Sequence, residues 1–258
     1  MTTQTSFDKT IHTDYTGDGE KYTLFSLLKF GEEEHLYDLL NKGILYFSSK
    51  EKIRNGKKEN SDDFRYDELE GATHYEAHNK DVEIVTKDLA GEELRIPAER
   101  LVVAEKPEVV FGNITSFYGI TERNFEDGKL IPVDPEMKRF ANHFILIYDY
   151  PKFFNRLETA LDKIGLNHYL GKVVYFNEAD YKGGLHFFHK RSSLSYQKEF
   201  RYHLDRDSID DFPLEIGSLN DIAVVCHTDT LEYLEMNLST DGKSVFGIRY
   251  LKPITHSI

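Results

Sequence analysis

The chain has 258 residues, 40% of them hydrophobic, enough to build a core in one large domain or two small ones. Acidic residues number 45 against 32 Lys and Arg, and the resulting net charge of −13 excludes broad, charge-driven binding to nucleic acid or to an anionic membrane. No run approaches the about 20 apolar residues of a membrane helix, and the first residues lack the order of a secretory signal, so a cytoplasmic location with no membrane partner is expected. The single cysteine, Cys226, lies in the apolar run Ile222 to Cys226 and leaves no partner for an internal disulfide or a Cys-based zinc site. Sixteen Tyr and 18 Phe without Trp suit many short, half-buried strands.

In chain order, residues 1–20 are polar, carry a Gly-Asp-Gly turn at Gly17 to Gly19, and read as a flexible arm. Tyr22 to Phe30 reads as a strand. Glu32 to Lys42 places Leu36, Leu39 and Leu40 on one helical face, and Gly43 stops that helix. Ile44 to Ser48 is a second strand. Lys50 to Gly71 is a mixed-charge stretch without apolar periodicity and reads as a long surface loop. Val82 to Thr86 and Leu94 to Ile96 form a hairpin, followed by strands at Leu101 to Ala104, Val109 to Tyr118 and Phe144 to Tyr148. The next helix has Asp149 as N-cap, Pro151 in its first turn and Gly165 at its end. Short strands follow at Lys172 to Asn177, Phe200 to Leu204, Ile222 to Cys226 and Val245 to Leu251, with a short helix opened by Asp229 before the last. Residues 21–258 thus form a single α+β domain of mixed, mostly antiparallel strands and a few helices.

Phosphate loops, dinucleotide glycine motifs and the common hydrolase and metalloprotease signatures are absent from the sequence. Three constellations remain. Read as a strand, Ser195 to Tyr202 puts Gln197, Glu199 and Arg201 on one face, a polar group that serves either a site or water. Tyr46-Phe47-Ser48-Ser49 ends a strand with hydroxyls beside aromatic rings, fitting a ribose and a planar heterocycle, or a helix cap before Lys50. Arg65-Tyr66-Asp67-Glu68-Leu69-Glu70-Gly71 offers an Arg for a pyrophosphate, or a solvated surface. His186 and His189 have a metal-like spacing only in a helix, and Gly183-Gly184 points to a turn instead.

The order strand, helix, strand ending in aromatic-Ser-Ser, and a late Gln-x-Glu strand resembles the ADP-ribosyltransferase fold. The likeness is nearest to an uncharacterised bacterial and phage domain family, on Leu45 to Ser49, Arg65 to Gly71, Val173-Val174-Tyr175, Lys190-Arg191, Tyr196 to Arg201 and Ile216 to Leu219. The resemblance implies an ADP-ribosyltransferase-like split sheet and an NAD-consuming intracellular toxin or phage-host conflict effector. It makes Glu199 the catalytic carboxylate, Gln197 the neighbour that helps choose the acceptor, and Ser48 a support for the nicotinamide ribose. Tyr46 or Phe47 would pack near the nicotinamide, with Arg65 and Tyr196 as further cofactor contacts. Ser26 occupies the first-strand slot that is basic or His in active relatives, a departure that Lys21, Lys29 or Arg65 would have to offset.

On this reading NAD is the substrate, no metal is expected, and the partners are an unknown protein or nucleic-acid acceptor and an antitoxin. The competing readings are a non-catalytic nucleotide- or protein-binding module, and an RNA-targeting toxin using a strip of Lys50, Lys52, Arg54, Lys57 and Lys58.

Overall fold

The computed structural model describes residues 23–56, 67–79, 82–87 and 89–250. The N-terminal arm and Lys21, together with Lys57, Lys58, Arg65 and Leu251, lie outside them. The opening unit is β1 (Leu24–Gly31), α1 (Glu33–Lys42) and β2 (Ile44–Ser49), followed by a short helix α2 (Lys50–Asn55). Then come β3 (His74–His78), β4 (Val82–Lys87), β5 (Glu93–Ala98), β6 (Leu101–Glu105), β7 (Asn113–Thr121), β8 (Phe125–Glu126) and β9 (Lys129–Leu130). The second half holds β10 (His143–Ile147), α3 (Tyr150–Ile164), β11 (His168–Lys172), β12 (Val174–Phe176), β13 (Lys182–Gly184) and β14 (His189–Arg191). It closes with β15 (Glu199–Leu204), β16 (Phe212–Glu215), β17 (Ala223–His227), β18 (Glu235–Leu238) and β19 (Val245–Arg249).

The fold is α+β and its pairings are mostly antiparallel. The main sheet runs β11-β15-β7-β1-β10-β17, and β2, carrying β16 on its far side, joins the same edge of β7 that β1 uses. β1 pairs with the end of β7 near Tyr118 to Thr121, whereas β2 pairs with its start at Asn113 and Ile114. The two strands therefore diverge along β7 and leave a gap.

Lys29 enters that gap. Its Nζ donates to Thr115 Oγ1 at 2.8 Å and to the Ser116 carbonyl at 3.3 Å. Burial lowers the Lys29 ammonium to about 8, against the raising pull of the Glu199 carboxylate.

Cross-strand register assigns the two faces of the sheet. One face carries Leu27, Phe117, Ile145, Phe200 and Tyr202 and is covered by α1 and α3. In α3, Phe153, Leu157 and Leu161 are fully buried, each contributing roughly 1.5–3 kcal/mol of burial. The Asp149 side chain accepts from the Lys152 amide at 3.2 Å, and Gly165 closes the helix in the left-handed region with φ 66°. The opposite face holds a second core of Leu28, Tyr118, Ile120, Phe144, Leu146 and Cys226, packed by Met137, Leu231 and Met236.

Several local expectations change. Ser49 caps α2 by accepting from the Lys52 amide at 3.4 Å, so the stretch after β2 starts as a helix; of its described residues, 50–56 and 67–71, Lys50, Arg54, Asp67 and Glu70 are buried, so these parts are not a solvated loop. β7 begins at Asn113 instead of Val109, and β11 and β12 break at Val173, whose amide donates to the Glu199 carbonyl at 2.9 Å. Gly183-Gly184 belongs to β13, paired with β3. The last short helix is capped by His227, not Asp229: its Nδ1 accepts the Asp229 amide at 3.3 Å. Ser192 to Gln197 is a 3₁₀ turn, and β15 starts only at Glu199. Lys198 joins the two with φ 40°, a left-handed conformation that costs a non-glycine residue on the order of 1 kcal/mol.

Candidate functional site

Alternation along β15 sends Phe200, Tyr202 and Leu204 into the core under α3. Glu199, Arg201 and His203 point to the opposite face, across from Tyr118, Ser116 and Ile114 of β7. All three are almost completely buried. Charges so far from water persist only when paired and hydrogen-bonded.

Each Glu199 oxygen is engaged. Oε1 accepts from the Ser116 hydroxyl and from Arg201 Nε at 2.8 Å. Oε2 lies 2.7 Å from Lys190 Nζ, which also donates to Gln197 Oε1 at 2.8 Å. The Glu199 amide donates to the Tyr175 hydroxyl at 3.0 Å. Burial alone would raise the Glu199 carboxyl, but the Arg201 and Lys190 charges and the hydrogen bonds outweigh it and hold the group well below the usual range. Glu199 is thus an ionised carboxylate in a dry setting.

Arg201 is the hub. Its Nη1 donates to Glu70 Oε2 at 3.1 Å and to the Phe187 carbonyl at 2.6 Å. Glu70 is pushed the other way from Glu199: burial raises its carboxyl, and the Arg201 charge offsets only part of that.

The described part of the charged motif explains how Glu70 arrives there. Asp67 accepts the Leu69 amide at 3.1 Å and its carbonyl accepts the Glu70 amide at 2.9 Å, so the motif is a tight turn that aims Glu70 inward. Gly71 follows with φ 77°, where a Cβ would stand 2.4 Å from Val110. Arg191 lies 3.9 Å from Asp67 and 3.4 Å from Glu68.

Of the residues singled out in the sequence, Glu199 and Gln197 come together, joined through Lys190. They do so across a turn and a strand start, not along one strand face. Ser48 is exposed on the same sheet face but opposite Ile114, four residues along β7 from the partner of Glu199. That offset is roughly 13 Å along the strand, plus two strand spacings sideways. Tyr46 shares the exposed face of β2 and its ring lies 5.2 Å from His35.

Phe47 points the other way, fully buried in the core under the helices, and forms no part of this face. Ser26 is also fully buried, with its hydroxyl 4.0 Å from Met236 Sδ beneath the second core. Tyr196 is half-buried against Phe140, with ring centroids 6.5 Å apart. Arg65 lies outside the described residues. The basic strip of the RNA-targeting reading does not form as one surface: Arg54 is buried against Glu51 and the carbonyls of Pro107 and Glu108, and Lys52 pairs with Asp211.

Sequence reasoning gave no site role to Glu70, Ser116 or Tyr175, and read Lys190 with Arg191 as a basic cluster that either attracts a phosphate or is loop surface. The Asp67-x-x-Glu70-Gly71 spacing was the available signal for Glu70 and the Val173-Val174-Tyr175 segment that for Tyr175; Ser116 carries none, because strand register alone brings it opposite Arg201. Among the described residues, no group of three or more His, Cys, Asp or Glu is arranged to hold a metal ion, and no helix is long and apolar enough to cross a membrane. Comparison with protein-family models, with curated proteins and with solved structures finds no match.

Proposed function

We propose that the protein is an ADP-ribosyltransferase-like enzyme that consumes NAD at the Glu199 centre. The observation that carries this reading is a buried carboxylate held by Arg201 Nε at 2.8 Å and Lys190 Nζ at 2.7 Å, at the first residue of a strand that follows the Gln197 turn. Cleaving a nicotinamide-ribose bond develops positive charge on the sugar. A fixed anion beside the ribose stabilises that charge more than it stabilises the ground state. Lys190 and Arg191 supply cations for a pyrophosphate, in a chain whose net charge is −13. The divergence of β1 and β2 from β7 supports a split-sheet arrangement, and Lys29 is the basic group of the first strand nearest that split.

The test is to incubate the purified protein with NAD and measure free nicotinamide. Sustained release above the no-enzyme rate is expected, and its absence removes the reaction.

A second reading has its own observation. Both oxygens of Glu199 are already engaged by Ser116, Arg201 and Lys190, so a ribose hydroxyl must displace one of these donors. A protein that keeps them engaged binds the nucleotide without breaking it. Calorimetric binding of NAD and ADP-ribose with no nicotinamide released selects this module.

A further inference from the structure

One residue on the inward face of β15 takes no part in the Glu199 network. His203 is 3% exposed, yet neither ring nitrogen has a hydrogen-bond partner. Its imidazole stacks on Phe187, centroids 4.0 Å apart and planes 11° off parallel, with Tyr169 at 6.0 Å. Stacking orients a ring but satisfies neither nitrogen. Buried polar atoms left this way are rare in folded proteins and mark a place where something else bonds.

A second buried group stands beside it. Lys50 is 9% exposed, and among the described residues its ammonium makes no hydrogen bond or ion pair, only a 6.0 Å approach to the Phe187 ring. The two converge at Gly112, with φ 94°. A Cβ there would stand 3.0 Å from His203 Nε2 and 3.1 Å from Lys50 Cε, so only glycine lets the chain pass between them.

The surrounding charges decide the sign of the occupant. Lys50 and Arg201 both act on His203 and, with burial as the larger cause, lower it to about 3, so the ring is neutral and offers one N–H donor. Burial is the main influence on Lys50 and lowers its ammonium, with Glu70 and Asp205 opposing that and Arg201 adding to it. Glu70 is held by Arg201, and neither acid bonds the Lys50 ammonium. An ammonium and an imidazole donor, both without acceptors, fit a compact oxyanion.

We propose that Lys50 and His203, meeting at Gly112, form a phosphate subsite. It rests on the nucleotide reading of the Glu199 centre, and would take a phosphate group of that ligand on the same face of the sheet, beside Arg201.

The test uses the full chain in phosphate-free buffer, with thermal unfolding and calorimetry against inorganic phosphate, ADP-ribose and adenosine. Phosphate and ADP-ribose are expected to raise the unfolding temperature of the wild type, and adenosine is not. His203→Phe keeps the stack on Phe187 and Lys50→Met keeps the aliphatic stem. Each is expected to weaken phosphate binding at least tenfold, His203→Phe remaining folded because it removes two unpaired nitrogens. No phosphate binding by the wild type, or equal binding by folded His203→Phe, overturns the subsite. Phosphate and ADP-ribose binding that both variants lose, with NAD left intact by the wild type, keeps the subsite and discards only the transferase reaction.

Discussion

Glu199 and Arg201, two residues apart on β15, are joined by a direct Oε1 to Nε hydrogen bond of 2.8 Å inside the protein. Strand alternation puts the two on one face, and Glu70 approaches the far side of the same guanidinium at 3.1 Å. One cation therefore bridges two acids of opposite tendency, Glu199 held ionised and Glu70 drawn toward its neutral form. Removing the cation is far worse than never having built the cluster.

Arg201→Met is accordingly expected to cost about 3–5 kcal/mol in urea unfolding, because it leaves the buried Glu70 without its cation and Glu199 with Lys190 and Ser116 alone. Adding Glu70→Gln to that variant should recover part of the loss. A single-variant loss below about 1 kcal/mol contradicts the buried bridge.

Lys190→Met removes the donor shared by Glu199 and Gln197, at an expected cost of about 1.5–3 kcal/mol. Lys190→Arg retains the charge and should fall between the variant and the wild type in a denaturant titration. An Arg variant no more stable than the Met variant shows that charge at this position is unimportant.

Stability against pH follows from the buried His203 and, more weakly because it is only half-buried, from His189. Burial lowers His203 to about 3 and His189 to about 4, below the ordinary value near 6.5. A depressed folded-state pKa means that the unfolded chain binds the extra proton. The corresponding stability is complete above about pH 6.5 and is lost as pH falls from there toward pH 4, by at most about 1.4 kcal/mol per unit for each group. His168, raised chiefly by its hydrogen bond to Glu158, has the opposite sign and acts above that window. Glu199 adds its own loss only at lower pH, below the ordinary carboxyl range, where Glu70 has already protonated in the folded state. In phosphate-free buffer the wild type should lose stability between pH 6.5 and 4.5, and His203→Phe should lose less. Parallel curves for the two proteins refute a neutral buried His203.

Two helix-ending glycines make a comparison. Gly43 has φ 72° and a Cβ there would stand 2.1 Å from the Gly217 carbonyl oxygen, whereas Gly165 has φ 66° and open space. Gly165→Ala should cost about 1 kcal/mol for conformation alone. Gly43→Ala carries the same cost plus a backbone collision, so its thermal unfolding should fall distinctly lower. Equal losses would mean that the β16 end moves aside freely.

Those glycines also show what a sequence can carry. Gly43 and Gly165 end helices in the way the local pattern indicates, as do the Asp149 cap and the apolar face of α3. These features depend on residues within a few positions of one another. The contact of Gly43 with Gly217 does not, nor does the order of strands around β7, because both are set by segments distant in the chain. The same division runs through the site. Glu199 and Gln197 stand out by spacing, but the turn that separates them follows from the Lys198 conformation, and Ser116, Tyr175 and Glu70 reach Glu199 and Arg201 through tertiary packing. Lys50 to Gly71 was misread as surface because high charge ordinarily faces water. Among its described residues Lys50, Arg54, Asp67 and Glu70 are buried while Lys52 and Glu68 stay exposed; Arg54 and Glu70 meet partners from elsewhere, the Glu108 carbonyl and Arg201, and the Lys50 ammonium bonds none among the described residues.

The proposed chemistry rests on the carboxylate of Glu199. Nicotinamide release from NAD should therefore be compared between the wild type and Glu199→Gln, with ADP-ribose binding by calorimetry as the control that the variant is folded. A fall in the rate of roughly a hundredfold or more with ADP-ribose still bound is the predicted result. Equal rates in the two proteins, or no release by either, contradict it.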